Sequence, residues 1–172
     1  MQQAALQYTN IANAAFFTVF YVPLVPILLF FIYSIKVHWS LWPSIGLCII
    51  GVYLLSDFSN SEIMIGDALV ILCSLFWALH IIFAGKFMEK FNIPIFYAAL
   101  QAALVFGLSL LFAFILEEVV ITKILTEYSS ILYAGVLSGG IAFTLQMFAQ
   151  KNIEEAPAAI IYSLEGLSLI HI

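Results

Sequence analysis

No Asp, Glu, Lys or Arg occurs before Lys36, and none lies between Lys36 and Asp57, Asp67 and Lys86, Lys90 and Glu117, or Glu127 and Lys151. Each gap is filled by an almost continuous apolar run. A helix needs roughly 20 residues to cross the hydrocarbon core of a bilayer. The runs are continuous rather than alternating, so helices are expected and the strands of a membrane barrel are not. With 65% apolar and 9% charged residues and a mean hydropathy of +1.14, the chain cannot cover a water-facing sphere, since soluble domains carry about 25% charge. Lipid is the solvent this sequence calls for.

The breaks give six segments, at about 11–35, 40–56, 63–85, 93–116, 128–149 and 156–170. The first, third, fourth and fifth are long enough to span outright. The second is marginal and the sixth short. Trp39 and Trp42 stand where amphipathic rings meet headgroups. Asp57, Asn60, Ser61 and Glu62 form one polar break, and Lys86, Glu89, Lys90 and Asn92 the next. Pro157 suits the first turn of the sixth helix. The fold class is therefore all-α integral membrane, with about six transmembrane helices.

All five cations are lysines. Lys36, Lys86, Lys90 and Lys151 fall on one side of the membrane and Lys123 on the other, which places the first four in the cytoplasm. Single cysteines at Asn60 and Asn92, in a background lacking Cys48 and Cys73, are accordingly expected to label from opposite faces with an impermeant maleimide. Equal labelling of both from outside would reject this topology. No basic run or basic-aromatic interleaving is present, so nucleic acid has no footprint. Cys48 and Cys73 lie in apolar runs without metal-ligand or redox spacing and read as small packing residues. The first ten residues lack the basic region of a signal peptide. No cofactor or metal motif occurs.

"ANAAFFTVFYVP" at 12–23 can be laid on "APAAIIYSLEGL" at 156–167, sharing only alanines. If the echo is a repeat, its period is five helices. An odd period forces the second copy into the membrane from the opposite side, as in inverted-repeat transporters.

"ALQYTNIANAAFFTVFYVPLVPIL", "GDALVILCSLFWALHIIFAGKF", "AALQ" at 98–101 and "YAGVLSGGIAFTLQMFAQKNIEEAPAAIIYSLE" at 133–165 together resemble the EamA-like branch of the drug/metabolite transporter superfamily. The resemblance runs over nearly the whole chain. It implies a ten-helix inverted-repeat transporter bundle, of which residues 1–62 are the end of the first five-helix repeat and 63–172 a second repeat truncated at its C-terminus. It implies transport of a small metabolite (an amino acid, a drug-like or a related compound) across the inner membrane. Both termini of such a bundle are cytoplasmic, in agreement with the lysines. The family has proline directly after the glutamate of this motif. Here Gly166 follows Glu165, so the family sequence is expected to be lost from about there, as in a truncated gene model. The expected partners are a small-molecule substrate, the bilayer and the remaining helices of the same chain. A coupling proton and a homodimer are left open.

The candidate pathway residues are Glu165, His80, Gln146, Gln101, Asn13 and Trp77. Glu165 follows Glu155–Ala156 by about nine residues, roughly 14 Å, which puts a carboxylate near the midplane. Ionisable groups at that depth face protein or a watered cavity. Glu165→Gln is expected to preserve protein level and alter transport or its pH dependence if the residue lines a pathway, and to lose folded protein if it is structural. Unchanged level and transport across pH 5.5–8 would strike it from the set. His80 shares a helical face with Cys73, Trp77 and Ala84 and can relay protons, or simply bond a neighbouring helix. Gln146 shares a face with Gly135, Gly139 and Ala142, and the two glycines read as a close-packing surface. Gln101 and Asn13 are isolated amides, and Trp77, Tyr21 and Tyr162 can stack on a substrate or merely supply apolar area. Pro23 and Pro26 remove backbone donors within the first span and predict a kink.

Two other function classes compete. One is a non-transporting accessory subunit, which would need few intramembrane Gln, Asn, His and Glu. The other is an intramembrane enzyme, built on Ser138, Gly139 and His80, but no G-x-S-G motif or acid partner accompanies them.

Overall fold

A computed structural model describes residues 5, 7–9, 11–55, 65–116 and 125–164. Every regular element among them is helical: α1 (Ile11–Thr18), α2 (Tyr21–Tyr33), α3 (Leu41–Leu55), α4 (Ile65–Phe91), α5 (Pro94–Leu116), α6 (Tyr128–Leu132), a π-helix (Tyr133–Ala142), α7 (Phe143–Gln150) and α8 (Glu155–Tyr162). Four stretches are long and apolar enough to cross a bilayer: Asn13–Tyr33, Ile65–Phe91, Pro94–Ile115 and Tyr128–Gln150. These are the four segments expected to span outright. The 15 described residues of α3, in the segment read as marginal, rise about 22 Å. The chain is an all-α, multi-pass membrane protein.

The chain divides into two compact units, Met1–Lys86 with Ile153–Ile172, and Phe87–Asn152. In the first, α2 packs on α8, α8 on α3, and α1 on α3. Its core joins Val22, Val25 and Leu29 of α2 to Ile45 of α3, Ala78, Ile81 and Ile82 of α4, and Ala156 and Ala159 of α8. Hydrophobicity does not drive helices together in lipid, so close backbone approach across small residues must do so. The alanines serve that end. Ala14 and Ala15 are buried, and so are Ala158 and Ala159, their counterparts in the sequence echo.

The first span is interrupted. α1 stops at Thr18 and α2 restarts at Tyr21. Pro23 has no N–H to give the Val19 carbonyl, which instead accepts the Val22 N–H at 2.9 Å, a tighter i→i+3 bond. Thr18 Oγ1 caps the Ala14 carbonyl at 2.7 Å on the other side of the break. The expected kink is therefore a two-residue break, set by the first proline. α2 ends at Ser34, whose φ of 56° and N–H to the Phe30 carbonyl at 3.0 Å form a left-handed cap.

α4 differs from its expected end near residue 85. Lys86, Glu89 and Lys90 continue the helix to Phe91, because they are good helix formers with long stems that reach water. Its 27 residues rise about 40 Å, more than a 30 Å hydrocarbon core, so the charged turns project beyond it. The stop is Asn92, at a φ of 55°, followed by Pro94 at the first position of α5.

In the second unit α5 packs on α7 and on the π-helix. Its two spans bury only 6% of their central windows, against 39% for the spans at 13–33 and 65–91. Phe106, Phe114 and Ile115 stand outward, as lipid-solvated side chains do. The reading of Gly135 and Gly139 as a close-packing surface is not borne out among the described residues. A Cβ at Gly135 meets nothing within 4 Å, and one at Gly139 meets only the Ala134 carbonyl at 3.4 Å. The physical reason is exposure: residues 131–142 are all exposed, so no neighbouring described helix lies on this face.

Candidate functional site

The break at Val19–Phe20 lies inside the first span, and the groups around it are aromatic and polar. Phe16, Val19 and Phe20 line a shallow depression with Ile49 of α3. Phe17 and Phe20 stack at 5.9 Å, and Phe16 meets the Tyr53 ring edge-on at 6.2 Å. One turn before Phe16, the Asn13 side chain is 2% exposed, and its Oδ1 has no hydrogen-bond donor among the described residues. An unmatched buried amide oxygen costs about 1–3 kcal/mol, so its retention points to a role beyond folding.

Trp77 and His80 are brought together on α4, their rings 5.3 Å apart and tilted by 46°. Both are half-buried. Gln101 and Gln146 belong to the second unit, on the packed pair α5 and α7. Gln150, one turn beyond Gln146, is 4% exposed. The change of pitch at Ala142 means that Gln146 does not continue the Gly135–Gly139 face as an unbroken α-helix predicts. Glu165 lies outside the described residues.

Two polar contacts were not anticipated. Near the start of α4, the Asp67 carboxylate is 1% exposed and accepts the Thr9 hydroxyl proton. The backbone of Tyr8 and Ala5 rests on Gly66, where a Cβ would stand 2.6 Å from the Tyr8 carbonyl group. Near the far end of α4, Lys86 Nζ lies 3.5 Å from Glu155 Oε1 and 5.8 Å from the Tyr33 ring centre. Glu155, only 8% exposed, lays its side chain across Gly85, where a Cβ would stand 2.6 Å from Glu155 Cγ. Asp67 carried a legible signal, an acid one turn into an apolar helix. Lys86 and Glu155 read as ordinary loop charges, and nothing local marks them as a pair.

Chemically, the first unit presents a broken helix with an orphaned amide, an aromatic-lined depression and a Trp–His pair, closed at either end of α4 by polar contacts. Among the described residues no cluster of three or more His, Cys, Asp or Glu exists to hold a metal.

Residues 64–171 match the profile of the EamA-like transporter family. An uncharacterized transporter of Archaeoglobus fulgidus is 31% identical over 169 residues, a match covering 96% of this chain and 53% of the relative. The chain thus spans about half the length of that curated relative. No solved structure matches.

Proposed function

The chain belongs to the EamA-like transporter family, and on that premise we propose that it is part of a secondary transporter moving a small metabolite across the inner, or plasma, membrane by alternating access. The observation that carries the mechanistic part is the break at Val19–Phe20 beside the buried Asn13 amide. Transporters of inverted-repeat architecture bind cargo beside interrupted spans, and here the tightened turn stands next to the Asn13 amide and the Phe16 and Phe20 rings. The buried alanine pairs at 14–15 and 158–159 support a pseudo-symmetric relation between the first and sixth segments, hence ten helices in two inverted halves. On this reading residues 1–62 close the first half and 63–172 open the second, with Lys36, Lys86, Lys90 and Lys151 on the cytoplasmic side. Asn13, Trp77, His80, Gln101, Gln146 and Glu165 are pathway candidates. A set dominated by amides and aromatics suits a neutral or zwitterionic metabolite.

The experiment is accumulation of radiolabelled candidates, amino acids first, in membrane vesicles holding the full-length gene product. Saturable uptake that is accelerated by unlabelled substrate on the opposite side identifies exchange through an alternating site. A protein that is well folded in vesicles and moves none of a broad panel of amino acids, nucleosides and amphipathic drugs defeats the proposal in favour of an accessory role.

A further inference from the structure

We propose that Lys86 and Glu155 form a gate: a charge pair seated on Gly85 that holds α8 against α4 in one conformation and parts in the other. The inference deepens the alternating-access reading and rests on it.

Three features carry it. The first is intermediate burial. The Lys86 and Glu155 side chains keep 25% and 11% of their surfaces exposed, so their attraction exceeds that of a solvated pair, yet water lies at hand to receive both charges on separation. A fully buried pair would be a fixed brace, because parting it strands a charge. The second is the seat. Gly85 lies within a helix and has no positive φ, so glycine is not needed there for backbone conformation. It is needed for space: the Glu155 side chain occupies the volume a Cβ would fill. The third is on the α8 side of the core, where Ala156 and Ala159 are the buried residues that cluster with Ala78, Ile81 and Ile82 of α4. Small residues on α8 leave few interdigitating groups to disengage from that side, so the charge pair and its seat add a specific hold at that end. The Tyr33 ring gives the ammonium a second partner from α2.

The opposite end of the same helix supplies the counterpart. Asp67 and Gly85 are 18 positions apart, five full turns, and so lie on one face of α4, separated by about 27 Å. At one end that face is clasped by Thr9 on Asp67, at the other by Glu155 on Gly85. Asp67 is 1% exposed, so by the same burial argument its clasp is the fixed end of this face and the pair at Gly85 the separable one.

The test reads access to the space behind the pair. In the full-length protein, lacking Cys48 and Cys73, Ala159→Cys is reacted with an impermeant maleimide from the membrane face that labels Asn92→Cys. Ala159 is 0% exposed and one turn from Glu155, so labelling is slow while the gate is shut. Lys86→Gln, Glu155→Gln and Gly85→Ala should each raise the rate about ten-fold, as expected when one contact biases a two-state equilibrium. Gly85→Ala does so with both charges present. Lys86→Glu combined with Glu155→Lys should return the rate towards its original value. Unchanged rates in the three single variants overturn the gate, and so does loss of folded protein in all of them, which makes the pair a structural brace. The readout is independent of cargo. If the unmodified protein moves no solute, the transport reading falls, while a ten-fold labelling response still supports a charge-controlled opening.

Discussion

Gly66→Ala is expected to remove most of the folded protein from the membrane. The added Cβ would stand 2.6 Å from the carbonyl carbon and oxygen of Tyr8 and 2.8 Å from the Ala5 carbonyl oxygen. These are backbone atoms, which cannot rotate aside as a side-chain tip does. Overpacking costs about 1–3 kcal/mol where neighbours can yield, and the upper end applies here. The displaced segment also carries Thr9, so the Asp67 carboxylate loses that hydroxyl donor in the same event. Gly46→Ala and Gly107→Ala are the controls: nothing lies within 4 Å of a Cβ at either, and replacing glycine inside a helix gains about 0.5–1 kcal/mol. Thermal stability in mild detergent, followed by size-exclusion chromatography, should separate Gly66→Ala from both. Equal stability in all three would mean that the 5–9 segment does not rest on α4.

Asn13→Leu is expected to separate folding from transport. The side chains share heavy-atom count and branching, with leucine the bulkier, and the replacement removes an amide whose oxygen is buried without a donor among the described residues. Relief of an unmatched polar atom is worth about 1–3 kcal/mol and offsets an overpacking cost of similar size, so protein level and thermal stability should hold. Transport should fall by at least about ten-fold, the equivalent of one lost hydrogen bond to cargo at 1.4 kcal/mol per decade. Initial uptake rates normalised to protein in vesicles measure this. Stability held with transport intact would remove Asn13 from the pathway.

Charge-free runs made the membrane class and the four long spans legible in the sequence, because lipid tolerates few exceptions to apolarity over twenty residues. The interruption of the first span was legible too, since a proline acts on the carbonyl four residues back whatever its surroundings. The end of α4 was misplaced because Lys86 and Lys90 look like loop residues by polarity while behaving as helix formers by backbone preference. The π-helix left no sequence signal: its glycines fit an α-helical packing motif equally well. Thr9 and Asp67 lie 58 positions apart, and no periodicity connects positions on different helices. Of the pathway candidates, only Trp77 and His80 were one turn apart and therefore predictably adjacent.

The ten π-helical residues between Tyr133 and Ala142 carry a mechanical consequence. A π-turn holds one more residue than an α-turn for nearly the same cylinder, so it is a stored dislocation in the helix. Letting one turn relax to α geometry would pass that dislocation along the axis, turning the residues it passes by about 100° and advancing them by about 1.5 Å. Gln146 and Gln150 on α7 lie immediately downstream. A screw motion of this kind moves both amides to a new face of the helix without breaking a crossing or bending a rod.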